Sequence, residues 1–467
     1  MTRTLFWGAC CLLLTATAVA QKNNPLLVAG PMLGFVEHRS ARVWLEVSAE
    51  ATAVTIEYWQ KNKPTERLRS TYSGELQKTY NPLSFTLDNL AMNTEYEYAI
   101  FVNNNLQKMP IASPHFTTKE LWVYRKPAPN FSFLFGSCLY LNDSIYDRPG
   151  KPYGKGTKIL QPMAAENAAA FNIWMGDNLY FREADYSSLG GMKYRYSHDR
   201  ATTDLQPVLA ARPNYAIWDD HDFGPNDSDE SFTFHDDGRE LFKSYWGNPT
   251  YGQNNQGIYT NFAYSDCDFF LLDDRAFRSS DNMPDKIDGK PNPNKHYWGR
   301  EQLTWLENAL LTSKATFKFV VNGGQFGNPF DKKESAYNFP IEYLELMDFL
   351  SVNKINGIVF LSGDRHFSEI LQYPQGEKGY TIYEMTNSSL GASTYSTMKE
   401  PELSNANRVA GSLINLENNY GLLSVMGERG KRALHYEVKN NEGKVLFQYD
   451  ISESALKWKR DKAAGED

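Results

Sequence analysis

Residues 357–366 read GIVFLSGDRH, six uncharged residues followed by Gly363, Asp364, Arg365 and His366. A strand over the uncharged part is apolar on both faces and needs cover on both sides. The same figure, an apolar run that stops at a polar cluster, recurs as FSFLFGSC at 131–138, FNIWMGD at 171–177, NYAIWDD at 214–220, FFLLDDR at 269–275 and FKFVVNGG at 317–324. Between these runs the apolar spacing predicts helices over 162–170, 201–211, 300–311 and 341–352. Strands alternating with helices specify an α/β fold, a central sheet covered on both faces. Ligands in such sheets sit beyond the carboxyl ends of the strands. The metal-capable side chains gather at that rim: Cys138, Asp177, Asp219, Asp220, His221, Asp364 and His366.

Working outward, the rhythm changes. Residues 25–120 carry short alternating segments rich in β-formers, the pattern of an all-β sandwich. Its stretch SFTLDNLAMNTEYEYAIFV, 84–102, resembles an immunoglobulin or fibronectin type III domain, with Leu87, Leu90, Tyr96 and Tyr98 at core positions. Residues 121–130, with Pro127 and Pro129, read as a linker and 131–455 as the larger domain. After Tyr380 the chain is strand-rich again, and Asn440-Asn441-Glu442-Gly443 predicts a hairpin turn. The charged tail, 456–467, reads as solvated.

A length of 467 residues, about three times a typical domain of roughly 150, agrees with two domains. With 41% hydrophobic and 14% aromatic residues, the composition excludes a largely disordered chain. Residues 1–20 have Arg3, an apolar run over 5–14 and Ala18-Val19-Ala20, the figure of a secretory signal peptide, so the protein is expected to be exported to a periplasmic or extracellular space. Loss of Arg3 with that segment takes the 48 basic residues to 47 against 56 acidic, a net charge of −9. No basic block tracks a nucleic-acid backbone, and no later stretch reaches the roughly 18 apolar residues of a membrane span. Cys10 and Cys11 also leave with the segment. For the remaining Cys138 and Cys267, export suggests a disulfide, whereas the strand-end position of Cys138 suggests a ligand.

A dinuclear hydrolytic site needs a carboxylate between two cations, further ligands for each, and a proton donor for the leaving oxygen. Asp177, in Gly176-Asp177-Asn178-Leu179-Tyr180, stands where its two oxygens could bridge cations about 3.5–4 Å apart. Tyr180, three residues on, faces the same side if a helical turn begins there; a phenolate suits Fe(III). In an extended segment Asp364 and His366 share a face, leaving Arg365 to point elsewhere or to a phosphate. Residues 218–227, WDDHDFGPND, place four carboxylates in ten positions, which repel by several kcal/mol in a cleft unless cations or arginines offset them. There is no GxSxG elbow, which argues against a serine hydrolase of that kind.

Taken together these motifs resemble the PhoD-like alkaline phosphatases and phosphodiesterases, relatives of the purple acid phosphatases among the calcineurin-like metallophosphoesterases, over residues 130–451. The sandwich resembles that family's N-terminal domain. The resemblance implies that Cys138, Asp177, Tyr180 and His366 hold Fe(III), that Asp177 bridges, and that Asn226 and Asp364 hold a second ion. His221 is similar in place to the histidine that assists the leaving group. Asn178, Asp220, Gln325 and Arg365 follow as further metal or phosphate contacts. Asp222 departs from the usual glutamate, Gly224-Pro225 from the usual polar residues, and Asn322-Gly323-Gly324-Gln325 stands where purple acid phosphatases add a histidine. Fewer imidazoles and more oxygens favour a hard second ion, which the resemblance makes Ca2+. Asp273 and Arg275 read as a structural ion pair beside the site.

The implied activity is phosphoester hydrolysis, with a metal-activated water attacking phosphorus in line, on a small-molecule or lipid substrate. Two rivals are a phospholipase D-like phosphodiesterase acting on lipid diesters and a non-catalytic exported carbohydrate-binding protein whose acidic cluster holds only structural Ca2+.

Overall fold

The computed structural model describes residues 25–254 and 256–459; the signal-like segment and the last residues of the tail lie outside them. The first domain comprises β1 (Leu27–Val36), β2 (Ala41–Val47), β3 (Val54–Gln60), β4 (Leu68–Thr71), β5 (Asn81–Leu87), β6 (Glu95–Val102), β7 (Asn105–Leu106) and β8 (His115–Thr117). One antiparallel sheet runs β1-β2-β5, and the other runs β4-β3-β6-β7 with β8 also on β6. β6 buries every second residue, the period of a half-covered strand. Leu87, Leu90, Tyr96 and Tyr98 lie in the sandwich core, as the resemblance to an immunoglobulin or fibronectin type III domain implies.

The second domain runs β9 (Phe131–Gly136), α1 (Leu160–Ala165), β10 (Ala169–Met175), α2 (Leu189–Arg200), α3 (Leu205–Ala211), β11 (Asn214–Ile217), α4 (Asp220–Phe223), α5 (His235–Tyr245), β12 (Thr260–Tyr264) and β13 (Cys267–Leu271). It continues with the small pair β14 (Lys286–Ile287) and β15 (Lys290–Pro291), then α6 (Arg300–Thr312), β16 (Phe317–Val321), α7 (Pro340–Val352), β17 (Ile358–Ser362), β18 (Ser368–Pro374), β19 (Thr381–Asn387), β20 (Asn419–Met426), β21 (Ala433–Asn440) and β22 (Val445–Ser452). The expected single central sheet is in fact two six-stranded sheets, ordered β11-β10-β9-β20-β21-β22 and β12-β13-β16-β17-β19-β18. Their inner faces meet through aromatic rings: Phe133 of β9 packs edge-on against Phe269 of β13 at 5.2 Å and Phe319 of β16 at 5.4 Å. Each such strand is apolar on both sides because one face meets the other sheet.

The helix predicted over 162–170 stops at Ala165, because Ala169 already begins β10. That predicted over 201–211 begins at Leu205. The preceding α2 carries Gly190, Gly191 and a run of polar residues, which hid it. The expected 440–443 hairpin joins β21 to β22. Both described cysteines are free thiols, so the disulfide expectation falls; Cys267 is a buried residue at the start of β13.

β9, β10 and β11 are mutually parallel, as are β13, β16, β17 and β19. Beyond β9 and β19, Ser137 bridges to Ser388, tying the two sheets together at the rim. The sandwich is welded on elsewhere. Trp44 Nε1 donates to the Ser244 carbonyl at 2.8 Å, Asn214 Nδ2 to the Leu33 carbonyl at 3.0 Å, and Tyr245 OH to Glu46 at 3.1 Å. Gly34 and Gly247 touch backbone to backbone: a Cβ on Gly247 would lie 2.6 Å from the Gly34 Cα.

Candidate metal centre

Each parallel strand hands its chain to a tight turn at the rim, and the turns carry the polar side chains. Cys138 (φ 60°), Asp177 (φ 51°), Asp364 (φ 66°) and His366 (φ 59°) all adopt the left-handed region, which costs a non-glycine residue on the order of 1 kcal/mol. Asp364 and His366 therefore do not alternate along an extended segment as expected; β17 ends at Ser362 and the turn brings both forward. Nor does a helix start at Tyr180, which follows a bend. Gly176 (φ 87°) precedes Asp177, and a Cβ there would lie 2.6 Å from the Asp219 side chain.

These turns converge. Tyr180 OH donates to Asp177 Oδ2 at 2.9 Å, and the Cys138 thiol lies 3.5 Å from the same oxygen. His366 Nε2 is 3.4 Å from Tyr180 OH. Its Nδ1 donates to the Ser393 carbonyl at 2.6 Å, which leaves the Nε2 lone pair facing the cluster. Donor atoms of Cys138, Asp177 and His366 all lie within 4.8 Å of one another. Two more such groups adjoin: Asp177 with Asp220 and His221, and Asp220 with Asp227 and Glu334. Asp177 thus belongs to two clusters.

A cavity of about 450 Å³ opens onto Asp177, Asp220, His221, Asn226, Asp364 and His366. Burial, with Cys138 and Asp220 close by, raises Asp177 well above the usual carboxylate range. Burial likewise raises Asp364, with Glu334 adding to it, and pushes the Cys138 thiol up to about 11. Asp364 Oδ2 has no hydrogen-bond donor among the described residues. Negative charge here is costly unless a cation offsets it, and thiol, phenol, imidazole and carboxylate together are a donor set that fits one. The His221 ring lies against Tyr180 with centroids 4.2 Å apart and planes tilted by 34°; burial holds its imidazole below the ordinary value against the pull of Asp220.

Residues 137–441 match the family model of PhoD-like phosphatases. The chain belongs to the PhoD-like phosphatase family. Residues 24–120 match a domain of unknown function. Among curated relatives, this PhoD-like chain is 23% identical to alkaline phosphatase D of Bacillus subtilis (strain 168) over 326 residues, 60% of the chain and 52% of that protein. The chain spans about half the length of that relative. Its fold is that of a solved PhoD structure (TM-score 0.71, 17% identity, 94% of this chain and 93% of the other). It is also that of a purple acid phosphatase from yellow lupin (Lupinus luteus) seeds (TM-score 0.62, 13% identity, 90% and 74%).

In this PhoD-like chain several side chains flagged in the sequence stand outside the ligand cluster. Asn226 lines the cavity but is exposed and gives its amide to Asp227 at 2.7 Å. Gln325, expected to offer an oxygen, is buried and fully engaged: its amide donates to Glu369 and Thr386 at 2.8 Å, and its oxygen accepts from Asn328 at 2.7 Å. Asn178 turns inward, donating to the Ile217 carbonyl and Asp222 at 2.7 Å each. Arg365 borders the cavity and is held by Glu402 at 2.7 Å and Asp331 at 3.4 Å. The expected Asp273–Arg275 pair is also corrected. Asp273 accepts backbone N–H groups and Trp218 Nε1, while the Arg275 guanidinium grips Asp219 and lies 2.5 Å from Glu334.

Sequence reasoning missed Glu334 and the role of Asp222, which it noted only as a departure from the usual glutamate. Asp222, buried and with its pKa pushed up to about 7 by that burial, accepts the backbone N–H groups of Asp177 at 3.2 Å, Asn178 at 3.1 Å and Asp219 at 2.6 Å. It is the anchor of the Asp177 turn. Glu334 is held well below the usual range by Arg275 and Arg278 despite its burial, so it stays ionised at the cavity wall.

Proposed function

We propose that this protein is an exported, metal-dependent phosphoester hydrolase of the alkaline phosphatase and phosphodiesterase type. One observation carries the reading: Asp177 lies within reach of Cys138, Tyr180 and His366 on one side and of Asp220 and His221 on the other. That is the place of a carboxylate shared by two cations. Cys138, Asp177, Tyr180 and His366 would hold Fe(III), since thiolate and phenolate suit that ion. Asp177 and Asp364, with Asp220 and Asp227 on the same wall and Asn226 only through its amide oxygen, since its Nδ2 goes to Asp227, would hold a hard ion such as Ca2+. When bound, the two ions would lower the pKa of a water and offset charge developing on the phosphoryl oxygens.

The chain's own residues do the rest. The turns fix the ligands before substrate arrives, His366 through Ser393 and Asp177 through Asp222, so little reorganisation accompanies reaction. His221, lining the cavity and braced on Tyr180, would donate its N–H toward the ester oxygen as the bond from phosphorus to that oxygen breaks and one from phosphorus to the water oxygen forms. Export rests on residues 1–20, which have the figure of a signal peptide.

The decisive experiment is elemental analysis of the purified protein beside turnover of p-nitrophenyl phosphate. Iron and calcium are expected. Asp177→Ala should lose both metals and at least about a hundredfold in turnover, the most that loss of a supporting partner alone explains. Full activity in that variant removes the bridging role. Bis-p-nitrophenyl phosphate, run beside the monoester, separates phosphatase from phosphodiesterase, including the lipid-diester reading. A carbohydrate-binding protein would show neither iron nor turnover.

A further inference from the structure

The cavity at the ligand cluster does not end there. Tyr153, His221 and Asn226 also line a second cavity of about 730 Å³, which therefore opens past the proposed proton donor. The two differ in charge. The first is walled by Asp177, Asp220, Asp227, Glu334 and Asp364 against Arg365, the second by Arg148, Lys151 and Arg182 against Asp147 and Glu183. Arg182 and Asp147 satisfy each other at 2.8 Å, and Arg182 also donates to the Leu141 carbonyl at 2.6 Å. Arg148, with its side chain 88% exposed, is held among the described residues by Glu183. Lys151 is exposed.

The remaining wall is aromatic, with Tyr140, Tyr153, Tyr180 and Tyr186. Tyr140 meets Tyr153 edge-on with centroids 4.9 Å apart, and Tyr180 at 5.0 Å. The buried Arg182 guanidinium lies over the Tyr140 ring at 4.1 Å, so this ring is fixed from behind. A polar alcohol has little use for such a surface, whereas a planar ring packs against it.

We propose that this second cavity receives the leaving group and selects an aromatic ring that carries an anionic substituent, the ring against the tyrosines and the anion toward Lys151 and Arg148. The inference rests on phosphoester hydrolysis at the first cavity. With phosphorus held at the ligand cluster, the ester oxygen points past His221 and the alcohol behind it lies among these side chains.

The test is equilibrium binding of three phosphonates, none of them hydrolysable, to the metal-replete protein by calorimetry. Benzylphosphonate should bind about fivefold more tightly than cyclohexylmethylphosphonate, the size of an aromatic contact beyond area burial. 4-Carboxybenzylphosphonate should gain a further factor of about three, the size of an exposed charge pair. Tyr153→Leu should shrink the first ratio, and Arg148→Ala with Lys151→Ala should bring the second to one. Equal affinities in the unaltered protein overturn the proposal whether or not the variants fold, as does a ladder that survives the substitutions. Turnover of benzyl phosphate is judged separately: a flat ladder with turnover sinks the subsite alone, and an intact ladder without turnover sinks the hydrolysis.

Discussion

Asp222 does not line the cavity at the ligand cluster, yet three requirements of the site meet on it, the N–H groups of Asp177, Asn178 and Asp219. Asp222→Ala should cost about 3 kcal/mol in denaturant unfolding, because buried donors lose their acceptor. Metal content should fall with it even though no proposed ligand is changed; unchanged loading would make the carboxylate merely structural. Cys138, Asp177, Tyr180 and His366 were legible in the sequence because each ends, or closely follows, an apolar run. Asp222 and Glu334 were not, because their roles depend on which backbone amides and arginines come alongside, and that is decided by tertiary contact. Gln325 misled for the complementary reason: position after a strand says nothing about neighbours such as Glu369 that claim its amide.

Among the elements, β9 and β10 both send aromatic rings across to the other sheet. Phe133 stacks on Phe171 of its own sheet at 5.2 Å while its edges meet Phe269 and Phe319 of the other. Phe133→Ala should destabilise by about 3–5 kcal/mol, the cost of a large cavity in a packed interior. Thermal unfolding checks this, and a loss below about 1 kcal/mol would mean that the sheets repack. The six apolar runs mark the positions of β9, β10, β11, β13, β16 and β17 but not their partners. A strand apolar on both faces reads the same whether its second face meets a helix or another sheet, which is why one sheet was expected where two exist. α2 escaped notice because its buried face is charged: Arg195 is fully enclosed by Asp185, Asp143 and Asp199, so no apolar stripe marks it.

At the scale of the whole molecule the join between sandwich and phosphatase domain sets a pH dependence. Glu46 is buried there, and desolvation lifts its carboxyl to about 7 against the hydrogen bonds of Ser197 and Tyr245 and the charge of Arg200. A raised folded-state pKa means that the native protein binds more protons than the unfolded chain between about 4.5 and about 7. This contribution is complete below that window and is lost as pH rises through it, on the order of 3 kcal/mol or slightly more at about 1.4 kcal/mol per pH unit. Glu46→Gln should therefore stabilise the protein at pH 8 and flatten the fall in Tm from pH 5 to 8; an unaltered slope assigns that fall to other groups. The contact of Gly34 with Gly247 carries a different consequence. Main chain pressed on main chain leaves no clearance for a swinging joint, so the front module is a fixed buttress. Any chimera that exchanges this module for another must keep a residue without a side chain on each side of the seam, or the halves will stand apart.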